Sequence, residues 1–258
     1  MEHCQCLRQI KDGAVKGDYA GLVNLLREPT QMTSSFRTVV AAALLSATAF
    51  TPALAQNIFT GDTGYHAGSI LAHLSVISVT PENFASHVNG PIVGGDTVGV
   101  STGVSPELDA SYFLTPHISL ELIAATTKHD VWASGNAAGK VKVGSTWVLP
   151  PTLTAQYHFA QLGPVRPYAG LGLTVAFFYS PSQSATLTSL GAKLGGLSTA
   201  VGPALDAGFD VPVGDGFTAN VDVKQMFLTT TSRIAGGAIG AVTELDPTVV
   251  GVGVGYQF

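Results

Sequence analysis

Charge is scarce in this chain. Only 11% of its 258 residues are Asp, Glu, Lys or Arg, against roughly 25% in an ordinary soluble domain. Cysteine is nearly missing too: Cys4 and Cys6 stand at the extreme N-terminus and none follows, so the rest of the chain has no disulfide framework. With His3 they spell HCQC, but two thiols and one imidazole without a distant second ligand pair do not build a zinc site. No metal or cofactor is expected. Beyond residue 55 there is no run of about 18 consecutive apolar residues, which excludes a bundle of transmembrane helices. The net charge of −5 gives no basic patch of the kind nucleic-acid binding needs.

What the chain does have is apolar residues (46%), 30 glycines and 14 prolines, a composition suited to many short strands and turns. Residues 32–55 stand apart. They read MTSSFRTVVAAALLSATAFTPALA: a polar start with Arg37, an apolar run from Val39 to Phe50, and the small-residue site Ala53-Leu54-Ala55. Those are the parts of a cleavable secretory signal peptide, with cleavage expected between Ala55 and Gln56. Residues 1–31 are more charged, and Met32 is placed to be the initiator. We read 1–31 as an upstream extension from a mis-assigned start, 32–55 as signal peptide and 56–258 as the exported domain.

In that domain turn signals separate segments with a period of two. Leu108, Ala110, Tyr112 and Leu114 alternate with Glu107, Asp109, Ser111 and Phe113. The same pattern recurs over Ile118–Thr126, Val148–Phe159, Val165–Tyr179, Ser198–Val211 and from Phe217 to Lys224. A looser first strand spans Gly64–Val79. The last segment, TVVGVGVGYQF, sets Val250, Val252, Val254 and Tyr256 against Gly251, Gly253 and Gly255. A period of two gives each strand two unlike faces. Three connections (115–117, 160–164 and 212–216) are tight, and four (80–103, 127–147, 180–197 and 231–245) are long. Alternating short and long turns between eight strands predict an all-β fold, an eight-stranded antiparallel up-and-down transmembrane β-barrel, with short turns on the periplasmic side. Strand eight must then pair with strand one, because lipid tolerates no open edge.

A soluble lipocalin-like barrel also has eight strands, but it turns its apolar face inward. Here the face opposite the apolar one carries small residues and sparse short acids, which suits a narrow polar lumen. Aromatics also gather near strand ends (Tyr112, Tyr157, Phe159, Phe177, Phe178, Tyr179, Phe217, Tyr256, Phe258), as in interfacial girdles.

The segments SLELIAAT (119–126), LPPTLTAQYHF (149–159), RPYAGLGLTVAFF (166–178), DAGFDVPVGDGFTANVDV (206–223) and DPTVVGVGVGYQF (246–258) resemble the OmpW family of outer-membrane proteins, which includes the AlkL-type alkane-uptake proteins. LPPTL and RPYxGxG are the specific pieces. The resemblance implies residence in the outer membrane of a Gram-negative bacterium. It also implies a narrow, rather hydrophobic lumen and passive uptake of small hydrophobic molecules, with sideways release through the wall into the bilayer. The partners implied are outer-membrane lipid, small hydrophobic solutes and the barrel-insertion machinery that reads a terminal aromatic such as Phe258.

Family members constrict the lumen with an apolar residue on strand three and an aromatic on strand seven. By motif these positions are Ile123 and Lys224, so here the second is a cation. A buried ammonium needs a carboxylate partner, and Glu121, Asp206 and Asp222 are the inward candidates. Together with His158, these residues (Glu121, Ile123, Asp206, Asp222, Lys224) are the expected channel lining. The charges are either a plug or gate, or a set that only satisfies the barrel interior. Pro150, Pro151 and Pro203 fall near the outer ends of strands four and six, where proline breaks or ends strand pairing.

Catalysis is not expected. Of the histidines His66, His73, His87, His117, His129 and His158, His158 faces inward, yet no serine stands at a recognisable spacing from it. The GLG at 170–172 lacks the later glycine and lysine of a phosphate loop. The alternative to uptake is a structural or receptor barrel whose long external loops, such as KHDVWASGNAAGKVKVGSTW (128–147), bind a partner.

Overall fold

The computed structural model describes residues 57–82, 85–89, 97–135, 139–189, 194–234 and 239–258. The predicted extension (1–31) and signal peptide (32–55) lie outside these residues. In chain order the strands are β1 (Ile70–Thr80), β2 (Ala85–Asn89), β3 (Thr97–Val100) and β4 (Gly103–Thr115). β5 (Ile118–Ala125), β6 (Thr127–Gly135), β7 (Gly139–Leu149) and β8 (Thr152–His158) follow. Next come β9 (Arg166–Gln183), β10 (Leu194–Leu197) and β11 (Ala200–Gly214). The last are β12 (Phe217–Met226), β13 (Thr229–Ile234), β14 (Ile239–Glu244) and β15 (Thr248–Gln257).

Eight of these strands form a closed antiparallel ring in the order β1, β4, β5, β8, β9, β11, β12, β15. β15 returns to β1 with Val252 opposite Val76 and Thr248 opposite Thr80, so the predicted pairing of the last strand with the first holds. Alternation fixes which face goes where. Leu108 and Val252 on the outer face are 58% and 57% exposed, while Glu107 and Asp109 on the inner face are 4% and 5% exposed. In water that arrangement would be inside out. A bilayer makes it stable, because the apolar face meets lipid and ring closure leaves no strand edge open along the barrel.

Tight turns cluster at one end. Thr115 Oγ1 accepts from His117 N and Ile118 N at 3.2 and 3.0 Å. Asp215 and Gly216, with φ of 51° and 81°, make the two-residue hairpin whose twist matches its strands. The C-terminus lies at this end as well, since Phe258 N donates to Ile70 O at 2.8 Å.

Three expectations are corrected. The first strand begins at Ile70 rather than Gly64. Gly64 and Gly68 adopt φ of 75° and 88°, a region only glycine enters freely, so residues 57–69 leave the ladder and run across the short-turn end. There Ala160 N donates to Ile58 O at 2.7 Å, and Thr63 Oγ1 to Pro116 O at 2.8 Å. In their described residues the four long connections carry β2, β3, β6, β10, β13 and β14 and prolong β7 and β9. The ladder simply continues: Gln225 pairs with Thr248, and four residues further on each strand Thr229 pairs with Glu244. These extensions lack the apolar alternation of a lipid-facing strand, which is why they read as loops. Finally, strand four is two strands, split at Pro150-Pro151, where two consecutive residues have no N–H to give.

Candidate functional site: the divided lumen

The inward side chains fall into two territories. Toward the short-turn end they form a dense polar network. Tyr65, from the segment before β1, enters the barrel and donates from its hydroxyl to Asp210 Oδ2 at 2.8 Å. His73 bridges two acids, with Nδ1 2.7 Å from Asp109 and Nε2 3.0 Å from Asp210. Asn220 Nδ2 donates to Asp210 Oδ1 and to the Tyr168 hydroxyl, both at 3.0 Å. The Tyr168 hydroxyl in turn donates to Asp222 Oδ2 at 3.0 Å. Asp222 accepts from Lys224 Nζ, which also lies 3.9 Å from Asp206 and 3.8 Å from Glu107. Gln156 Nε2 donates to Asp206 Oδ2 at 2.6 Å, and its Oε1 accepts from Ser119 at 3.1 Å.

The ring strand β15 adds room rather than polar groups. A Cβ built on Gly255 would stand 2.3 Å from the His73 ring, and one on Gly253 only 2.2 Å from Ser75 Oγ. The glycines of the last strand therefore make space for the network opposite them. Below it, Tyr65 stacks on Phe113 with centroids 4.4 Å apart, and His158 meets Phe113 at 4.6 Å. Aromatic faces seal that end of the lumen.

Toward the other end the interior is apolar. A recess open at its mouth is walled by Ile77, Val148, Phe178, Met226 and Val249, with Ile123 and Glu107 at its base. Ile77, Met226 and Val249 are buried in one apolar cluster around it. Phe178, expected in an outer girdle, instead lies partly buried against this wall. Two ladder gaps flank the recess. Across the one over 226–228 and 245–247, Met226 N donates to Pro247 O at 3.1 Å and Leu245 N to Leu228 O at 2.8 Å. The other is at the proline pair, where no such backbone bond crosses among the described residues. The register between strands three and four stops at Ile123 opposite Thr152 and resumes at Thr127 opposite Val148, which leaves Pro150 and Pro151 in the gap. Ile123, Ala125 and Thr127 on one side and Val148 and Pro150 on the other all line the recess. Pro203 sits within a continuous β9–β11 ladder opposite Leu173. On its other side the β11–β12 ladder ends beside it at Ala204 opposite Met226, with Phe227 N donating to Pro203 O at 3.0 Å.

All six expected lining residues face inward and are buried: Glu121, Ile123, His158, Asp206, Asp222 and Lys224. Lys224 is 2% exposed and reaches two of its three expected partners, Asp206 and Asp222, while its third ion pair is with Glu107 rather than Glu121. His158 sits apart from that cluster, with Nε2 2.9 Å from Ser119 Oγ. That corrects the absence of a serine near His158. Ser119 lies opposite Gln156 across the β5–β8 ladder, a neighbour that spacing along one strand cannot show. His158 Nδ1 has no hydrogen-bond partner, so the orienting acid of a catalytic triad is missing from this pair. The sequence reading missed Tyr65, His73, Asp109, Tyr168 and Asp210. The outward–inward alternation of β4, β11 and β12 already pointed the acids inward, but Tyr65 and His73 lay in the loosely patterned first segment.

Comparison with known proteins agrees with this architecture. The chain is 40% identical over 174 residues to an outer-membrane protein of Sinorhizobium fredii, y4mB, covering 66% of this chain and 72% of that one. It is 29% identical over 180 residues to the dibenzothiophene metabolism operon protein PahQ of Pseudomonas aeruginosa, covering 67% and 80%. The crystal structure of the outer membrane protein OprG from Pseudomonas aeruginosa superposes with a TM-score of 0.70 at 25% identity, covering 76% of this chain and 98% of that one. The OmpW family model matches residues 66–258, the whole closed barrel, and the chain therefore belongs to the OmpW family of outer-membrane proteins of Gram-negative bacteria.

Proposed function

We propose that this barrel takes up small hydrophobic molecules passively, receiving them in the apolar recess and releasing them sideways into the bilayer. One observation carries the reading: the recess ends blind on a buried ionic network, while its wall is interrupted beside it at Pro150-Pro151. A solute in the recess meets charge ahead and lipid at its flank, and an apolar molecule is better solvated by lipid. In this reading Lys224, Asp206, Asp222 and Glu121 plug the axis, Ile123 marks the floor and His158 belongs to the sealed lower end. The relative PahQ, named for a dibenzothiophene metabolism operon, supports an apolar cargo. We also read the barrel as non-catalytic, since Ser119 and His158 lie sealed beneath Tyr65 and Phe113.

The test is uptake of an alkane and of a polar solute of similar size by cells with and without the protein. The alkane should accumulate faster with it and the polar solute should not. Equal alkane uptake in both strains would defeat the proposal.

A further inference from the structure

The recess is apolar on almost every side, but its base is not. Glu107 lines it there, buried, and its ion pair with Lys224 Nζ spans 3.8 Å, too long for a hydrogen bond. A carboxyl group has acceptor lone pairs whether or not it carries a proton, and this one keeps acceptor capacity at the end of an apolar cup. The interior behind it has acids in excess. Six carboxylates (Glu107, Asp109, Glu121, Asp206, Asp210, Asp222) share it with Lys224, His73 and, against Tyr65 at the short-turn end, Arg166. Glu121 Oε2 and Asp206 Oδ1 are buried without a hydrogen-bond partner. In a low-dielectric site that excess favours a donor or a positive charge and opposes a further negative one.

We propose that the recess binds amphipathic molecules head-down, with the apolar body against Ile77, Met226 and Val249 and a hydrogen-bond-donating head, hydroxyl or ammonium, on Glu107. This rests on the uptake reading and names the cargo within it. Alcohols, phenols and amines are preferred to plain alkanes, and carboxylates are refused. A site with a buried acceptor rejects the analogue that leaves the acceptor unmatched, which is how one carboxylate among apolar walls discriminates.

The test measures binding of octan-1-ol, octylamine, octane and octanoate to the full chain in lipid nanodiscs, with circular dichroism to check the fold. Wild type is compared with E107L and E107Q. Both variants leave Lys224 beside Asp206 and Asp222. In E107L the affinities for octan-1-ol and octylamine should fall about tenfold, the usual effect of a hydrogen bond to a charged group, while octane stays within about twofold. In E107Q, which keeps an acceptor oxygen but no charge, octan-1-ol should be retained and octylamine lost by about tenfold. Octan-1-ol binding that is absent from wild type or equal in wild type and E107L overturns the assignment, as does octanoate binding wild type as well as octan-1-ol. Failure of octane alone to bind counts against plain-hydrocarbon uptake instead, and the Glu107 dependence of octan-1-ol still decides the head-down assignment.

Discussion

The two halves of this lumen are built by the same eight strands and filled in opposite ways. Near the short turns, inward positions hold acids, amides, a histidine and a lysine, joined from Tyr65 through Asp210, Asn220, Tyr168 and Asp222 to Lys224. Toward the strand extensions the same faces carry Ile77, Ala125, Ala176, Met226 and Val249, an apolar cluster that walls the recess. A narrow barrel cannot leave its interior unfilled without either water or a solute to occupy it. In the proposed reading the lower half is filled by its own side chains and the upper half receives the solute. A blocked pore and a binding cup are then one design read from two ends: the network that closes the axis is also the floor of the recess.

The largest effect should come from removing the cation at the boundary. Lys224 is buried among Asp222, Asp206 and Glu107, so Lys224→Met leaves three carboxylates facing one another without it. Breaking a buried ion pair from one side costs about 3–5 kcal/mol. Urea unfolding of the variant in lipid should show a loss of that size, and planar-bilayer recordings should show raised conductance as water enters the gap. Wild-type stability and conductance together would mean that Lys224 only fills space.

The contrast between a packed and a hollow half can be measured directly with two truncations. Phe113, fully buried between Tyr65 and His158, should lose about 3 kcal/mol or more as Phe113→Ala, the usual cost of an aromatic cavity. Met226 is just as inward, but one side of it faces the recess, so Met226→Ala should cost only about 1 kcal/mol, below the usual ~2–5 for such a change in a closed core. Equal losses in the unfolding midpoint would show that the upper half is packed as tightly as the lower and that the recess does not persist in the membrane.

Much of this was legible in the sequence. The strand faces were, because the bilayer demands strict alternation, and Leu108 against Glu107 or Val252 against Gly253 shows it without any partner. The inward face of Lys224 followed from strand spacing and its place at the constriction from the family resemblance, with Asp222, on the same face two residues away, one of three acids offered as its partner. What stayed hidden depends on register between strands. Glu107 as a partner of Lys224, Ser119 beside His158, and the break opposite Pro150-Pro151 are all cross-strand relations, set by the stagger of the ring. Tyr65 was hidden for another reason: it leaves the strand pattern through two positive-φ glycines and enters the lumen from below. The strand extensions were missed because, outside the lipid band, no apolar face is needed to hold a hairpin together.

The smallest predicted effect on stability bears on how a solute would leave the upper half. Thr126 lies at the ladder interruption, and its Oγ1 is 2.5 Å from the hydroxyl of Tyr179 on β9. Tyr179 is opposite Trp147 of β7, with the rings stacked 6.4 Å apart, so this bond reaches past the proline-split strand and ties its two neighbours together on the outer surface. Tyr179→Phe keeps the ring and the stack and removes only the tie. An exposed neutral hydrogen bond contributes about 0.5–1 kcal/mol, and the unfolding midpoint should move by no more than that. If solute leaves through this part of the wall, losing the tie should nonetheless speed alkane uptake, by about two- to threefold for a barrier lowered by roughly 0.5 kcal/mol. Thr126→Val, which breaks the same bond from the other side, should do the same. Two variants with wild-type stability and wild-type uptake would move the exit elsewhere in the wall, while faster uptake in both would mark the proline break as the door of the hollow half.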